Sequence, residues 1–144
     1  MPSDEIDTQL LALLAENARM PVATMARRMG LARTTVQARL EKLETNGTIE
    51  GYTLRLGATL RPRLRATVLL SVEPRAGAAI LARLKSLPQV AAVHTASGRF
   101  DMIINLAADT TEEMDAVLDR ICEGQGVRSS ESLIHLSTKI DRRT

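Results

Sequence analysis

Aromatic side chains are almost missing from this chain of 144 residues, which has one Phe and one Tyr. Its core must therefore be built from Leu, Ile, Val, Met and Ala, and stacking of nucleobases on ring faces is removed as a way of binding nucleic acid. Cysteine is as scarce. The single Cys122 rules out an internal disulfide, and its helical position in DAVLDRICEG reads as a small buried hydrophobe. With one Cys and two well-separated histidines, His94 and His135, no metal cluster is visible and no metal is expected. No apolar run approaches the roughly 20 residues of a membrane span, and the N-terminal MPSDEIDTQL is acidic where a signal peptide is basic and then apolar. The expectation is a cytoplasmic protein with no membrane partner. A phosphate-cradling Gly-rich loop is absent, as is any credible Cys-His or Ser-His-Asp arrangement, so no catalytic residue and no cofactor is assigned.

What is present is a soluble globular composition, 44% hydrophobic and 25% charged, long enough for one ordinary domain or two small ones. Net charge is only +2, yet between Ala18 and Leu43 six basic residues face Glu41 alone. That segment is organised as two helices. Val22, Met25, Ala26 and Met29 recur at helical spacing after Pro21, Gly30 suits a helix end, and Gly30-Leu31-Ala32 has the length of a sharp turn. A second helix runs from about Arg33 to Asn46-Gly47. Its Val36, Leu40 and Leu43 pack inward, which leaves Arg33, Thr34, Gln37, Ala38 and Glu41 pointing away. Such a helix-turn-helix, with basic residues around it, suits double-stranded DNA. Arg33, Thr34, Thr35 and Gln37 are the candidates for base contacts, and Arg27, Arg28, Arg39 and Lys42 for phosphates.

Before this pair, a helix runs from Ser3 or Asp4 to Asn17. Either residue can cap it, Asp4, Glu5 and Asp7 suit its positive end, and Ile6, Leu10, Leu13 and Leu14 form its apolar stripe. Thr48 to Tyr52 reads as a short extended wing or strand start, and Thr53 to Arg65, with Gly57 and Pro62, as a linker holding a short strand. Beyond it the pattern is β-α-β-β-α-β: strands over 65–73, 89–96, 101–107 and 127–139, helices over 77–87 and 111–123. That order predicts a four-stranded antiparallel sheet with both helices on one face. Apolar residues on both faces, Val68, Leu70 and Ile104 against Leu69 and Ile103, argue that sheets pair between copies.

In this order and spacing the chain resembles the Lrp/AsnC family of transcriptional regulators. The resemblance rests on Asp7 with Leu10-Leu11 and Asn17-Ala18-Arg19; on Met25-Ala26 before Gly30-Leu31; and on Thr35-Val36, Arg39-Leu40 and Leu43-Glu44. Further along it rests on Gly47 to Tyr52, Gly98-Arg99-Phe100-Asp101 and Gly126-Val127. It implies an α+β chain: a winged helix-turn-helix domain over 1–51, a strand-containing linker over 52–63, and a ferredoxin-like βαββαβ (ACT-like) effector-binding and oligomerisation domain over 64–144. It also implies homodimers that assemble into octamers or similar rings, controlled by a small amino-acid effector. The family's Gly-x-(Phe or Tyr)-Asp hairpin matches Gly98, Arg99, Phe100 and Asp101, and its paired hydroxyls on the last strand match Ser130 and Ser132. Two residues apart, those serines face the same side.

The chain departs from the family pattern at Ala32, where Ser or Thr usually caps the recognition helix, and in having Ser130 and Ser132 for threonines. The lost cap is worth about 1 kcal/mol. Two other readings stand beside a regulator. Haem-pathway (sirohaem-type) decarboxylases resemble the family in both domains and would draw on His94 and His135, which otherwise read as structural histidines. A stand-alone sensor that never binds DNA is the other. RNA-recognition modules share the βαββαβ order but need sheet aromatics that these strands lack.

Overall fold

The computed structural model describes residues 4–142, so the alternative cap Ser3 lies outside the described residues. The chain forms two compact units that divide between Arg55 and Leu56.

The first unit contains three helices, α1 (Glu5–Glu16), α2 (Val22–Met29) and α3 (Arg33–Thr45). Asp4 caps α1, its Oδ1 accepting from the Asp7 N–H at 2.9 Å. The buried face of α1 carries Asp7, Leu10 and Leu14, while Ile6 and Leu13 are only half-buried. Leu10 and Leu14 close over Met25 and Ala26 of α2 and Val36 and Leu43 of α3, an entirely aliphatic and thioether core. Pro21 stands just outside α2 as a cap without a side-chain bond. Gly30 ends the helix at φ +68 in the left-handed region, and this lets Leu31 N–H donate to Ala26 O at 2.9 Å. Ala32 likewise gives α3 no side-chain cap.

The wing and the linker strand are not formed: no strand occurs between Thr45 and Leu64. An extended segment becomes a strand only by pairing, and Gly57 and Pro62 interrupt any ladder it offers. Leu54, Leu56 and Leu60 of this stretch are exposed. Tyr52 is tied instead to α3, its hydroxyl donating to Glu44 Oε1 at 3.4 Å. Partial burial, and then the Glu44 charge, raise its pKa.

The second unit contains β1 (Leu64–Val72), α4 (Gly77–Lys85), β2 (Val90–Thr95), β3 (Met102–Ala108), α5 (Thr111–Cys122) and β4 (Val127–Ile134). The strands lie in the order β2-β3-β1-β4, each pair antiparallel. Ala66, Val68 and Leu70 of β1 and Ile104 and Leu106 of β3 share one face, on which Ile80 and Leu84 of α4 and Val117 and Ile121 of α5 pack. Both helices therefore cover the same side, the ferredoxin-like arrangement. Cys122 is only half-buried, one position off the face that Ile121 fills, so it does not take the core place its sequence suggests. β4 stops at Ile134 rather than continuing to Lys139: Ala66 pairs Ile134, a further bond runs from His135 N–H to Arg65 O at 2.9 Å, and β1 begins at Leu64, so residues 137–139 have no β1 partner.

Among the described residues of this unit, no helix lies over the other sheet face. It carries Leu69 opposite Ile103 and Glu131, and Thr67 opposite Asn105 and Leu133, with Leu133 48% exposed.

Candidate DNA interface and effector site

α3 presents Arg33, Thr34, Thr35, Gln37, Ala38, Glu41 and Lys42 to solvent, because only Val36 and Leu43 are drawn fully into the three-helix core. Five of these residues converge with Val22 of α2 on one concavity of about 510 Å³: Arg33, Thr34, Gln37, Ala38 and Glu41. Gln37 Nε2 donates to Glu41 Oε1 at 3.1 Å. That bond leaves the Gln37 carbonyl and one of its amide hydrogens free, the pair of groups that an adenine edge requires. Thr35 does not line this concavity. It lies on the neighbouring face with Lys42, two turns away along α3.

Arg27 and Arg28 are exposed at the C-terminal end of α2, where their charge also suits the helix dipole. Arg28 reaches Glu16 at 3.8 Å, an exposed pair that leaves it available to other anions. Arg39 differs. Its guanidinium is bonded to Asp4 and lies 3.5 Å from Asp7 Oδ1, so it faces α1 instead of the DNA-reading side. The sequence offered no sign of this, since Asp4 and Asp7 read as first-turn residues matched to a helix dipole. Val22 was read only as core and also lines the concavity.

In the second unit, Gly98 to Asp101 form the β2–β3 hairpin. Asp101 anchors it to β1: its N–H donates to Leu70 O at 2.7 Å, and its Oδ2 accepts from Val72 N–H at 2.8 Å beside a register shift between Ser71 and Val72. Arg99 lies over the Phe100 ring, 5.1 Å from its centroid, and its Nη2 is 3.8 Å from Glu131 Oε2 on β4. Glu131 was not foreseen because the pairing partner of a hairpin residue depends on strand order. Ser130 and Ser132 are exposed opposite Leu70 and Val68, on the helix-bearing side of β4. Glu131, between them, points to the other side. Arg99 is thus brought to Glu131, and β1 lies between the hairpin and the two serines.

The histidines stand at opposite edges of the sheet, His94 on β2 and His135 just past β4, where its Nε2 is 2.8 Å from Thr67 Oγ1. They do not share one site. Among the described residues no group of three or more His, Cys, Asp or Glu is placed to hold a metal, and no helix is long and apolar enough to cross a membrane.

A trihelical unit with a basic, solvent-facing second helix of a helix-turn-helix, joined to a βαββαβ unit, defines a two-part DNA-binding transcriptional regulator. The family models concur: an AsnC-type helix-turn-helix domain matches residues 4–44, and the Lrp/AsnC ligand binding domain matches residues 65–144. The chain belongs to the Lrp/AsnC family of transcriptional regulators, which are not enzymes. It is 30% identical over 146 residues to the HTH-type transcriptional regulator PH1916 of Pyrococcus horikoshii, covering 94% of this chain and 93% of that one. The fold matches E. coli AsnC with a TM-score of 0.90 at 24% identity, over 100% of this chain and 99% of AsnC. It also matches the regulator NMB0573 of Neisseria meningitidis, solved with L-Met, with a TM-score of 0.88 at 22% identity over 97% and 94% of the two chains.

Proposed function

We propose that this regulator reads duplex DNA through α3 and adjusts its assembly, and hence its promoter occupancy, to a small amino acid bound in the βαββαβ unit. The observation that carries the reading is the convergence of Arg33, Thr34 and Gln37 on one exposed concavity of the recognition helix. Those three side chains are assigned to base edges. Thr35 sits with Lys42 toward the phosphates, which Arg27 and Arg28 also approach. The effector is assigned to Gly98, Arg99, Phe100 and Asp101 with Ser130 and Ser132; β1 separates the two groups within one chain, so the contact between dimers is where their backbone groups, carboxylate and hydroxyls would meet one zwitterion. The ligand-binding family model over this unit, and the bound L-Met of the Neisseria relative, support an amino acid as the ligand class.

Homodimers would form through the uncovered sheet face bearing Leu69, Ile103 and Leu133, and dimers would join into an octamer or similar ring. Ligand coupling requires that the amino acid bind two assemblies with different affinity. Its domains are assigned as 1–51 for DNA, 52–63 for the linker and 64–144 for effector and assembly, and its place of action is the cytoplasm.

The reading is tested by gel retardation of a promoter fragment and by a thermal-shift screen of the twenty amino acids with light scattering on each hit. Arg33→Ala should abolish sequence-selective retardation, and one amino acid at submillimolar concentration should raise the melting temperature and change particle size. Retardation untouched by Arg33→Ala, or twenty amino acids without a shift, would refute the corresponding half.

A further inference from the structure

Arg39 lies on the recognition helix but is held from behind. Its guanidinium bonds Asp4 and lies 3.5 Å from Asp7 Oδ1, and its side chain is only 30% exposed. Both carboxylates stand at the N-terminal end of α1, Asp4 as its cap and Asp7 in its first turn. Asp4 is at once the cap of that helix and a partner of Arg39, one oxygen accepting from Asp7 N–H and the other from Arg39. The bond to the Asp7 N–H, and then Arg39, hold the Asp4 carboxyl below its ordinary pKa, while Asp4 raises that of the guanidinium. Asp7 is 6% exposed, the one buried charged side chain among the described residues, and its buried Oδ1 makes no hydrogen bond there. A carboxylate in that position needs a cation, and Arg39 is the cation beside it.

We propose that Arg39 is a positioning residue for DNA recognition and not a phosphate ligand: held by Asp4 and Asp7, it fixes the recognition helix α3 against α1. The proposal rests on DNA reading by α3 and adds to it the role of α1. It opposes the simplest electrostatic expectation. If Arg39 served phosphates, the two carboxylates would compete with DNA for it, and removing either would strengthen binding. If Arg39 positions α3, removing either weakens binding even though the protein becomes more cationic.

The test is fluorescence anisotropy of the full chain on a duplex enriched from random sequence, titrated across a series of salt concentrations. Asp4→Ser keeps an oxygen to cap α1 and deletes the charge; Asp7→Asn, Arg39→Gln and Arg39→Lys complete the set, with Lys42→Gln as the phosphate reference. The expected result is a loss of about threefold to tenfold for Asp4→Ser, Asp7→Asn and Arg39→Gln at every salt concentration. Their slope of log affinity against log salt stays at the wild-type value. Arg39→Lys should regain part of the loss, and Asp7→Asn should cost little more once Arg39 is Gln. Lys42→Gln should flatten the slope by about 0.9, one phosphate's worth. Tighter binding by Asp4→Ser or Asp7→Asn, a slope flattened by about 0.9 in Arg39→Gln, or unchanged affinity in all three would overturn the proposal. Should Arg39→Gln not fold, the two carboxylate variants decide the matter, because the sign of their effect differs between the two roles. Wild-type binding itself reports on DNA reading, and the variants report only on Arg39.

Discussion

Asp101 and Val72 are joined across the end of the sheet: the Asp101 carboxylate accepts the Val72 N–H at 2.8 Å where the β1 register shifts against β4. A hairpin side chain thereby does what a neighbouring strand cannot do at an irregular pair. Replacing it with Ala strands that N–H and should cost about 1 kcal/mol in urea denaturation. Asp101→Asn keeps an acceptor oxygen, so its unliganded stability should stay closer to wild type. If the Asp101 carboxylate also meets an effector ammonium, the ligand-induced thermal shift should fall in Asp101→Asn all the same.

Gly126 leads into β4 at φ +91, and a Cβ placed on it would lie 2.4 Å from the Ala76 Cβ. Its carbonyl accepts Glu73 N–H at 2.7 Å, so the backbone there is not free to move away. Gly126→Ala combines a disfavoured backbone with overpacking and should destabilise the protein by about 2–4 kcal/mol, read as a lower urea midpoint. An unchanged midpoint would show that this packing is wrong.

Ala32 stands at the N-cap of α3 with φ −69 and ψ 147, a conformation in which a Ser side chain can reach back to the helix's free N–H groups. Ala32→Ser should therefore stabilise the helix by about 1 kcal/mol and raise the melting temperature. DNA affinity should rise with it if fraying of the first turn, where Arg33 and Thr34 lie, limits binding.

Acid should weaken the fold through two carboxylates. Glu113 accepts from Gln89 Nε2 at 3.0 Å and from Asp109 N–H at 3.1 Å, and these bonds, Gln89 first, lower its pKa. Asp4 is lowered by its Asp7 N–H bond and then by Arg39. A depressed folded pKa means that the stabilisation is complete above the ordinary carboxylate value of about 4 and is lost as pH falls through the folded value. Melting temperatures should be flat from pH 6 to 5 and decline below about 4. Glu113→Gln should remove part of that decline.

The order of elements was legible because each carries its own period. Leu10 and Leu14, Val36 and Leu43, and the alternation of Val68 and Leu70 with Leu69 give helix and strand faces without reference to any distant residue. Helix ends were legible where local chemistry sets them, as at Gly30. The wing was misjudged because an extended segment has no strand until another edge meets it, and nothing within 48–63 supplies one. For the same reason β4 is shorter than the strand expected over 127–139: β1 begins at Leu64 and offers residues 137–139 no partner.

By itself, the sequence determined the helix-turn-helix, the βαββαβ order, the absence of a disulfide and the residues exposed on α3, since all of these follow from spacing within a few turns of chain. Only the tertiary structure decided which charges are free. Arg39 and Lys42 are equally basic in sequence, yet Arg39 is bound to Asp4 and approaches Asp7, while Lys42 is exposed. Likewise Arg99 meets Glu131 only because β1 and β4 bring a hairpin and an edge strand together. Ion pairing depends on distances of a few ångströms between residues more than thirty positions apart, and only the packing of the chain sets them.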